Sequence, residues 1–295
     1  MAQQQQQHTM LSYVIGLVAV VLFLGNPISQ FFFPQHSRPG RPEWAPRPAL
    51  DEALLALEAP GDTRLDCPPD AYSTRILSRE PLVLYLENFL SADERRHLLD
   101  ISEPLFEPST ITHKDKDTSR DVSVRDSSVA LVPRTPQVRC IEARARALQG
   151  WRADVYIERL RTQRYEPGGH YAHHFDWGAN VQGWGRVSSF MVWVDTADGL
   201  QGGGTEFPLL QARGEAGPRW CELVECGSNG TLRSDGDDDG QQPQGTVFRP
   251  RAGNAVYWEN FRADGTGYDE TWHAGLPVTQ GVKVGLNIWS FGRIL

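Results

Sequence analysis

From Val155 to the C-terminus the chain divides into seven short β-prone segments: 155–165, 171–177, 187–195, 205–208, 245–249, 254–258 and 282–291. Glycine and proline separate them, so each run must fold back against another to bury its apolar residues. Ahead of them lies one more strand candidate, residues 81–90, and two helix candidates. The first follows Ser91-Ala92-Asp93-Glu94, a capping-box pattern that leads into Leu98, Leu99 and Ile101. The second runs from about Thr135 to Gly150 with Val138, Ile141, Ala145 and Leu148 on one face. Two helices followed by many short strands predict a mainly β domain with flanking helices, a sandwich or jelly roll. No internal repeat is visible.

The N-terminal part has a different texture. Residues 1–9 are polar and glutamine-rich, and residues 10–24 carry no charge. Fifteen residues of helix rise only about 22 Å, so a span must borrow from residues 25–33 to cross a hydrocarbon core of ~30 Å. No small-x-small cleavage site lies near Gly25, which favours an uncleaved signal anchor within residues 1–33 over a removed signal peptide. Residues 34–80 read as a linker, with Pro34, Pro39, Pro42, Pro46 and Pro48 making its first part a semi-rigid spacer. Residues 81–295 form the globular domain. A stretch at about 209–244 interrupts its strand pattern with a run of aspartates at 235–239, which lacks the ligand alternation of a calcium loop and reads as solvated.

Topology signals conflict. Arg38, Arg41 and Arg47 place the region after the anchor in the cytoplasm by the positive-inside rule. The sequon at Asn229 and four cysteines, Cys67, Cys140, Cys221 and Cys226, place the same region in a lumen. The lumenal reading is adopted here: a single-pass protein of the endoplasmic reticulum membrane, held through residues 10–33. Cys221 and Cys226 are either a disulfide or two thiols, and without a C-x-x-C pair they supply too few ligands for a structural zinc site. The net charge of −8 excludes a broad phosphate-binding surface, so no nucleic acid is expected as a partner.

The chemistry gathers in HYAHHFDW, residues 170–177. On an extended strand His174 and Asp176 share one face about 7 Å apart, with Phe175 and Trp177 on the other. An imidazole and a carboxylate so placed begin a two-histidine, one-carboxylate metal site. His273 is the only histidine downstream, 273 − 174 = 99 residues on, although spacing alone does not exclude His97 or His113. In the last strand Val282, Val284, Leu286 and Ile288 take one face, and Lys283, Gly285, Asn287 and Trp289 the other. Lys283 there either snorkels to water or lines a polar cavity where an anion must meet it.

The segments RYEPGGHYAHHFD, GRVSSFMVWVD, GGGTEFP, FRPRAGNAVYWEN and HAGLPVTQGVKVGLNIWSF, in that order, resemble the catalytic domain of prolyl 4-hydroxylases in the 2-oxoglutarate and Fe(II) dependent dioxygenase superfamily. The resemblance implies a double-stranded β-helix, a jelly roll with the metal at its mouth. It implies that His174, Asp176 and His273 hold Fe(II), and that Lys283 holds the far carboxylate of 2-oxoglutarate. Tyr165 and Thr205 would place hydroxyls near that cosubstrate, and Tyr171, Arg186 and Trp289 would line the substrate side. The implied reaction takes O2 and 2-oxoglutarate to succinate and CO2 while hydroxylating a prolyl residue of a peptide or protein, with ascorbate as reductant. The same residues fit a non-prolyl or small-molecule C–H substrate. A catalytically silent binding domain is disfavoured by four costly polar groups converging on one cavity.

Overall fold

The computed structural model describes residues 48–49, 51, 53–58, 65–112, 118–150, 152, 154–178, 183–211, 220–226 and 245–294. The anchor, residues 34–47, His113, the sequon and the acidic run lie outside them. Among the described residues no helix is long and apolar enough to cross a membrane.

A hairpin of β1 (Ser73–Arg79) and β2 (Leu82–Glu87) leads into α1 (Ala92–Ser102). Short strands β3 (Glu107–Pro108), β4 (Ile111–Thr112), β5 (Thr118–Ser119), β6 (Arg125–Asp126) and β7 (Ser128–Leu131) precede α2 (Pro136–Leu148). Then come β8 (Val155–Ile157), β9 (Arg161–Tyr165), β10 (His170–His174), β11 (Trp184–Thr196), β12 (Gln201–Gly202) and β13 (Thr205–Phe207). The chain closes with β14 (Thr246–Phe248), β15 (Ala255–Glu259), β16 (His273–Gly275), β17 (Val278–Gln280) and β18 (Lys283–Arg293).

The larger sheet runs β1-β2-β15-β11-β18-β9-β7-β3, with β8 also on β18, and the smaller runs β14-β13-β16-β10-β6. Tyr85, Trp193, Val256 and Trp258 of the larger sheet meet Phe207 and Phe248 of the smaller in one buried cluster. On the other face, Leu84, Phe190, Val192, Leu286 and Ile288 pack against Leu98 of α1 and Val138, Ile141 and Ala145 of α2. Each such side chain contributes about 1.5–3 kcal/mol on burial. Two facing antiparallel sheets flanked by helices are the mainly β jelly roll that the resemblance implies, one of the two forms open to the strand pattern.

Local chemistry explains the helices. Ser91 Oγ accepts from Glu94 N (3.2 Å) and Glu94 Oε2 accepts from Ser91 N (2.8 Å), completing the capping box. Glu94 is buried and also takes the Arg144 guanidinium at 2.8 Å, tying α1 to α2. Thr135 caps α2, and Pro136 stands in its first turn, where no N–H is needed.

The segment read as one strand over 155–165 is two. β8 and β9 both pair with the eleven-residue β18, and Glu158 turns between them, its N–H given to the Trp289 carbonyl. β1 lies within the segment read as linker, and Cys67 of the same segment is bonded to Cys140 of α2. Cys221 and Cys226 are bonded as well. The first bridge spans 73 residues, and closing a loop of that length stabilises by about 4 kcal/mol on the chain-entropy account. Cys140→Ser is therefore expected to lower unfolding stability by about that amount, read from denaturant titration without reductant; an unchanged midpoint would contradict it.

Candidate active site

β10 ends at His174, and Asp176 stands in the turn after it. The two are therefore not alternate positions of one strand, as expected from the sequence. The turn folds Asp176 back, so its Oδ1 comes to 3.7 Å from His174 Nε2 instead of standing a pleat away. β16 pairs with β10 and sets His273 opposite His174. His273 Nε2 then lies 4.0 Å from Asp176 Oδ2, and one donor atom from each of the three residues falls within 4.8 Å of the others.

Both rings are held with the bare nitrogen inward. His174 Nδ1 donates to the Ala172 carbonyl at 2.8 Å and His273 Nδ1 to the Thr271 carbonyl at 2.9 Å. A carbonyl only accepts, so each Nδ1 carries the proton and each Nε2 presents a lone pair to the carboxylate. Trp289 Nε1 donates to Asp176 Oδ2 at 3.0 Å, fixing the third group. Phe207 stacks on His273 at 5.3 Å, Trp258 meets the same ring edge-on at 4.9 Å, and Tyr171 stacks on His174 at 3.8 Å. Three donors on one side, with outer partners orienting each, suit a divalent metal with open positions opposite.

Lys283 is almost fully buried at the start of β18, 1% exposed. Its Nζ donates to the Gly203 carbonyl at 2.7 Å and sits 4.5 Å from the Tyr165 ring, and no carboxylate of the described residues meets it. Gly203 has φ +70, and a Cβ there would come to 3.0 Å from Val278 and 3.3 Å from the lysine stem, so only glycine fits. Burial pushes the ammonium down to about 7. A cation kept in such a place is costly unless an anion joins it.

Residues 160–291 match the family model described as 2OG-Fe(II) oxygenase superfamily. They form a 2OG-Fe(II) oxygenase domain, and it is prolyl 4-hydroxylase-like. Probable prolyl 4-hydroxylase 3 of Arabidopsis thaliana is 28% identical over 222 residues, 73% of this chain and 71% of that protein. Prolyl 4-hydroxylase 1 of the same plant is 29% identical over 224 residues, covering 72% and 70%. Among solved structures, the 2OG complex of the viral collagen prolyl hydroxylase of Paramecium Bursaria Chlorella virus-1 aligns at TM-score 0.46 and 19% identity, over 71% of this chain and 96% of that one. The domain is that of a 2-oxoglutarate and Fe(II) dependent dioxygenase of the prolyl 4-hydroxylase type.

The remaining sequence candidates have these places in the oxygenase domain. Tyr165 is buried opposite Lys283 in the sheet register. Burial raises its hydroxyl, against the pull of Arg125 and of hydrogen bonds to Arg125 and Ser127. Thr205 is buried in β13, two residues past Gly203. Arg186 stacks on Trp289 at 3.8 Å and binds Glu158 with two hydrogen bonds, 2.8 and 3.0 Å. Phe175 and Trp177 pack with each other, and Phe175 with Trp272. His97 bonds Thr135 on the helical side, which removes it from the site.

Burial and the neighbouring His273 hold the His174 imidazole neutral, pushed down to about 3. For Asp176 burial opposes ionisation, but His273, His174 and Arg186 outweigh it and keep the carboxyl below its ordinary range. Neutral imidazoles and an ionised carboxylate are the forms that bind metal. Sequence reasoning missed Arg125 and Glu158. Arg125 lies 4.6 Å over the Tyr171 ring, and SVRDSS carries no recognisable pattern that marks it. Glu158 was hidden inside a segment read as continuous strand.

Proposed function

We propose that this oxygenase hydroxylates prolyl residues of a peptide or protein at the 4-position, with 2-oxoglutarate and O2 converted to succinate and CO2. Two observations support it most: the His174, Asp176 and His273 donors gather within 4.8 Å, and the buried Lys283 ammonium meets no carboxylate of the described residues, in a domain whose relatives are named prolyl 4-hydroxylases. His174, Asp176 and His273 would hold Fe(II), which with its cosubstrates supplies oxidative decarboxylation coupled to C–H hydroxylation. Lys283 would hold the far carboxylate of 2-oxoglutarate, with the Tyr165 and Thr205 hydroxyls beside it. Tyr171, Arg186 and Trp289 line the side left for substrate, where their rings exclude water and fix the reacting group. Ascorbate is the reductant expected to restore iron after turnover without substrate.

In this reading residues 1–33 anchor the chain, residues 34–80 link it, and residues 81–295 work in the lumen of the endoplasmic reticulum. The two disulfides support an oxidising compartment. Proline-rich peptides incubated with the chain, Fe(II), 2-oxoglutarate and O2 should gain one oxygen each, and an array left unmodified would overturn the prolyl assignment.

Two further results are expected. Trp289→Phe removes the N–H that orients Asp176 while keeping a ring for Arg186, and should weaken Fe(II) binding by about 10–100-fold in equilibrium titration. Because Lys283 loses its charge from about pH 7 in the free protein, the dicarboxylate must draw a proton back onto it at higher pH. Calorimetry at pH 8 in two buffers of different ionisation heat should show proton uptake on 2-oxoglutarate binding, and affinity falling about tenfold per unit as pH rises further. Equal heats in both buffers would contradict a neutralised lysine.

A further inference from the structure

We infer that the substrate carries a carboxylate side chain two to three residues from the hydroxylated position, and that Arg161 receives it. The inference deepens the peptide reading above and rests on it. Arg161 opens β9, and in the register of the larger sheet it stands beside Asn287 of β18 and Leu131 of β7. Alternation puts Arg161, Gln163 and Tyr165 on one face, the face of Lys283. Gln163 and Tyr165 are buried there and Arg161 is exposed, so this face of the strand runs from the buried Lys283 side out to solvent at Arg161. Asn287 is two residues from Trp289 along β18. One strand over, Arg161 is about 8 Å from Trp289 at the backbone, or two to three residues of an extended peptide.

The charges around Arg161 are unbalanced. Arg186, Arg125 and Arg159 act against it, and the acid that acts on it most is Glu158. Glu158 is already engaged by both hydrogen bonds from Arg186. The Arg161 guanidinium has no hydrogen-bond or ion-pair partner among the described residues. Arg125 Nη2 and Arg159 Nε are buried without a hydrogen-bond partner as well. Arg186 also faces Asp176 and Arg159 also faces Glu142, so Arg161 is left with an acid that Arg186 already occupies, in a chain whose net charge is −8. Like charges so gathered repel, and a planar carboxylate fits the guanidinium fork in two-point fashion. The 2-oxoglutarate carboxylate does not serve, since its lysine lies four residues inward along the paired strands, about 13 Å away. Leu131, 43% exposed beside Arg161, offers the apolar wall along which the stem of a glutamate would lie.

The test uses the full chain and fluorescent proline-containing decapeptides with glutamate placed in turn at each position within four residues of a central proline. Glutamine isosteres serve as controls, and anisotropy reports binding without turnover. At the preferred position the glutamate peptide should bind at least about tenfold more tightly than its glutamine isostere. Arg161→Gln should bring the ratio near one, and Arg161→Glu should reverse it in favour of a lysine peptide, a gain that a misfolded variant cannot show. Equal binding of glutamate and glutamine peptides by the unaltered chain overturns the inference, as does a ratio that survives Arg161→Gln. Acid-dependent binding of peptides that are never hydroxylated, or that bind equally with the proline replaced by alanine, supports the role of Arg161 while overturning the prolyl reading.

Discussion

Replacing Lys283 by methionine is expected to make the domain more stable and the enzyme much worse. The lysine is 1% exposed, and burial lowers its ammonium from 10.5 to about 7. Its folded-state value thus lies below the unfolded one, so between these two values the unfolded chain binds the extra proton and stability rises with pH. The penalty is fully present below about pH 7 and gone above the unfolded value. At pH 6 methionine removes it, for a gain of up to a few kcal/mol at about 1.4 kcal/mol per pKa unit. The loss of the bond to the Gly203 carbonyl takes back about 1 kcal/mol. At pH 9 the gain should be smaller. Without the ammonium the far carboxylate of 2-oxoglutarate is buried unpaired, which costs about 2–5 kcal/mol, so the cosubstrate KM should rise by about 30-fold or more. Thermal unfolding at the two pH values and succinate kinetics read both sides. A destabilised variant, or an unchanged KM, would contradict the assignment.

Asp176→Asn is the second large effect. The amide oxygen can still accept from Trp289 Nε1, now at 3.0 Å, and the volume is unchanged, so the fold should persist. What disappears is the only negative charge among the three donors gathered within 4.8 Å. A hard divalent cation then loses its one anionic ligand, and Fe(II) binding should weaken by about 1000-fold or more, beyond the 10–100-fold of an orienting partner such as Trp289. Turnover at micromolar Fe(II) should fall below detection. Retention of more than about a tenth of the activity would show that the metal is held elsewhere.

Much of the fold could be read locally. The capping box at Ser91 and Glu94 and the α2 face of Val138, Ile141 and Ala145 stand as their spacing dictates, because each depends on residues within two turns. β18 shows its two faces in sequence since strand alternation is equally local, and Lys283 falls opposite the core face of Val284, Leu286 and Ile288, beside Tyr165. His174 and His273 could be paired because no other histidine follows the first. The rest depended on contacts across the fold. HHFD alternates like a strand and so puts Asp176 on one, whereas the pairing of β10 with β16 stops at His174 and frees the chain to turn. Four cysteines allow three connectivities, and nothing near Cys67 indicates a partner 73 residues away. Arg125 reaches the site only because β6 pairs with β10, a register that its own neighbours do not encode.

The most direct test of the account is succinate formation from 2-oxoglutarate by the purified chain and by its His174→Ala variant, each with and without Fe(II) and O2. The unaltered chain should form succinate only when both are supplied, and the variant should form none under any condition while keeping the circular dichroism of the folded β domain. Succinate formed by the variant at the rate of the unaltered chain would contradict the assignment of iron to His174, Asp176 and His273.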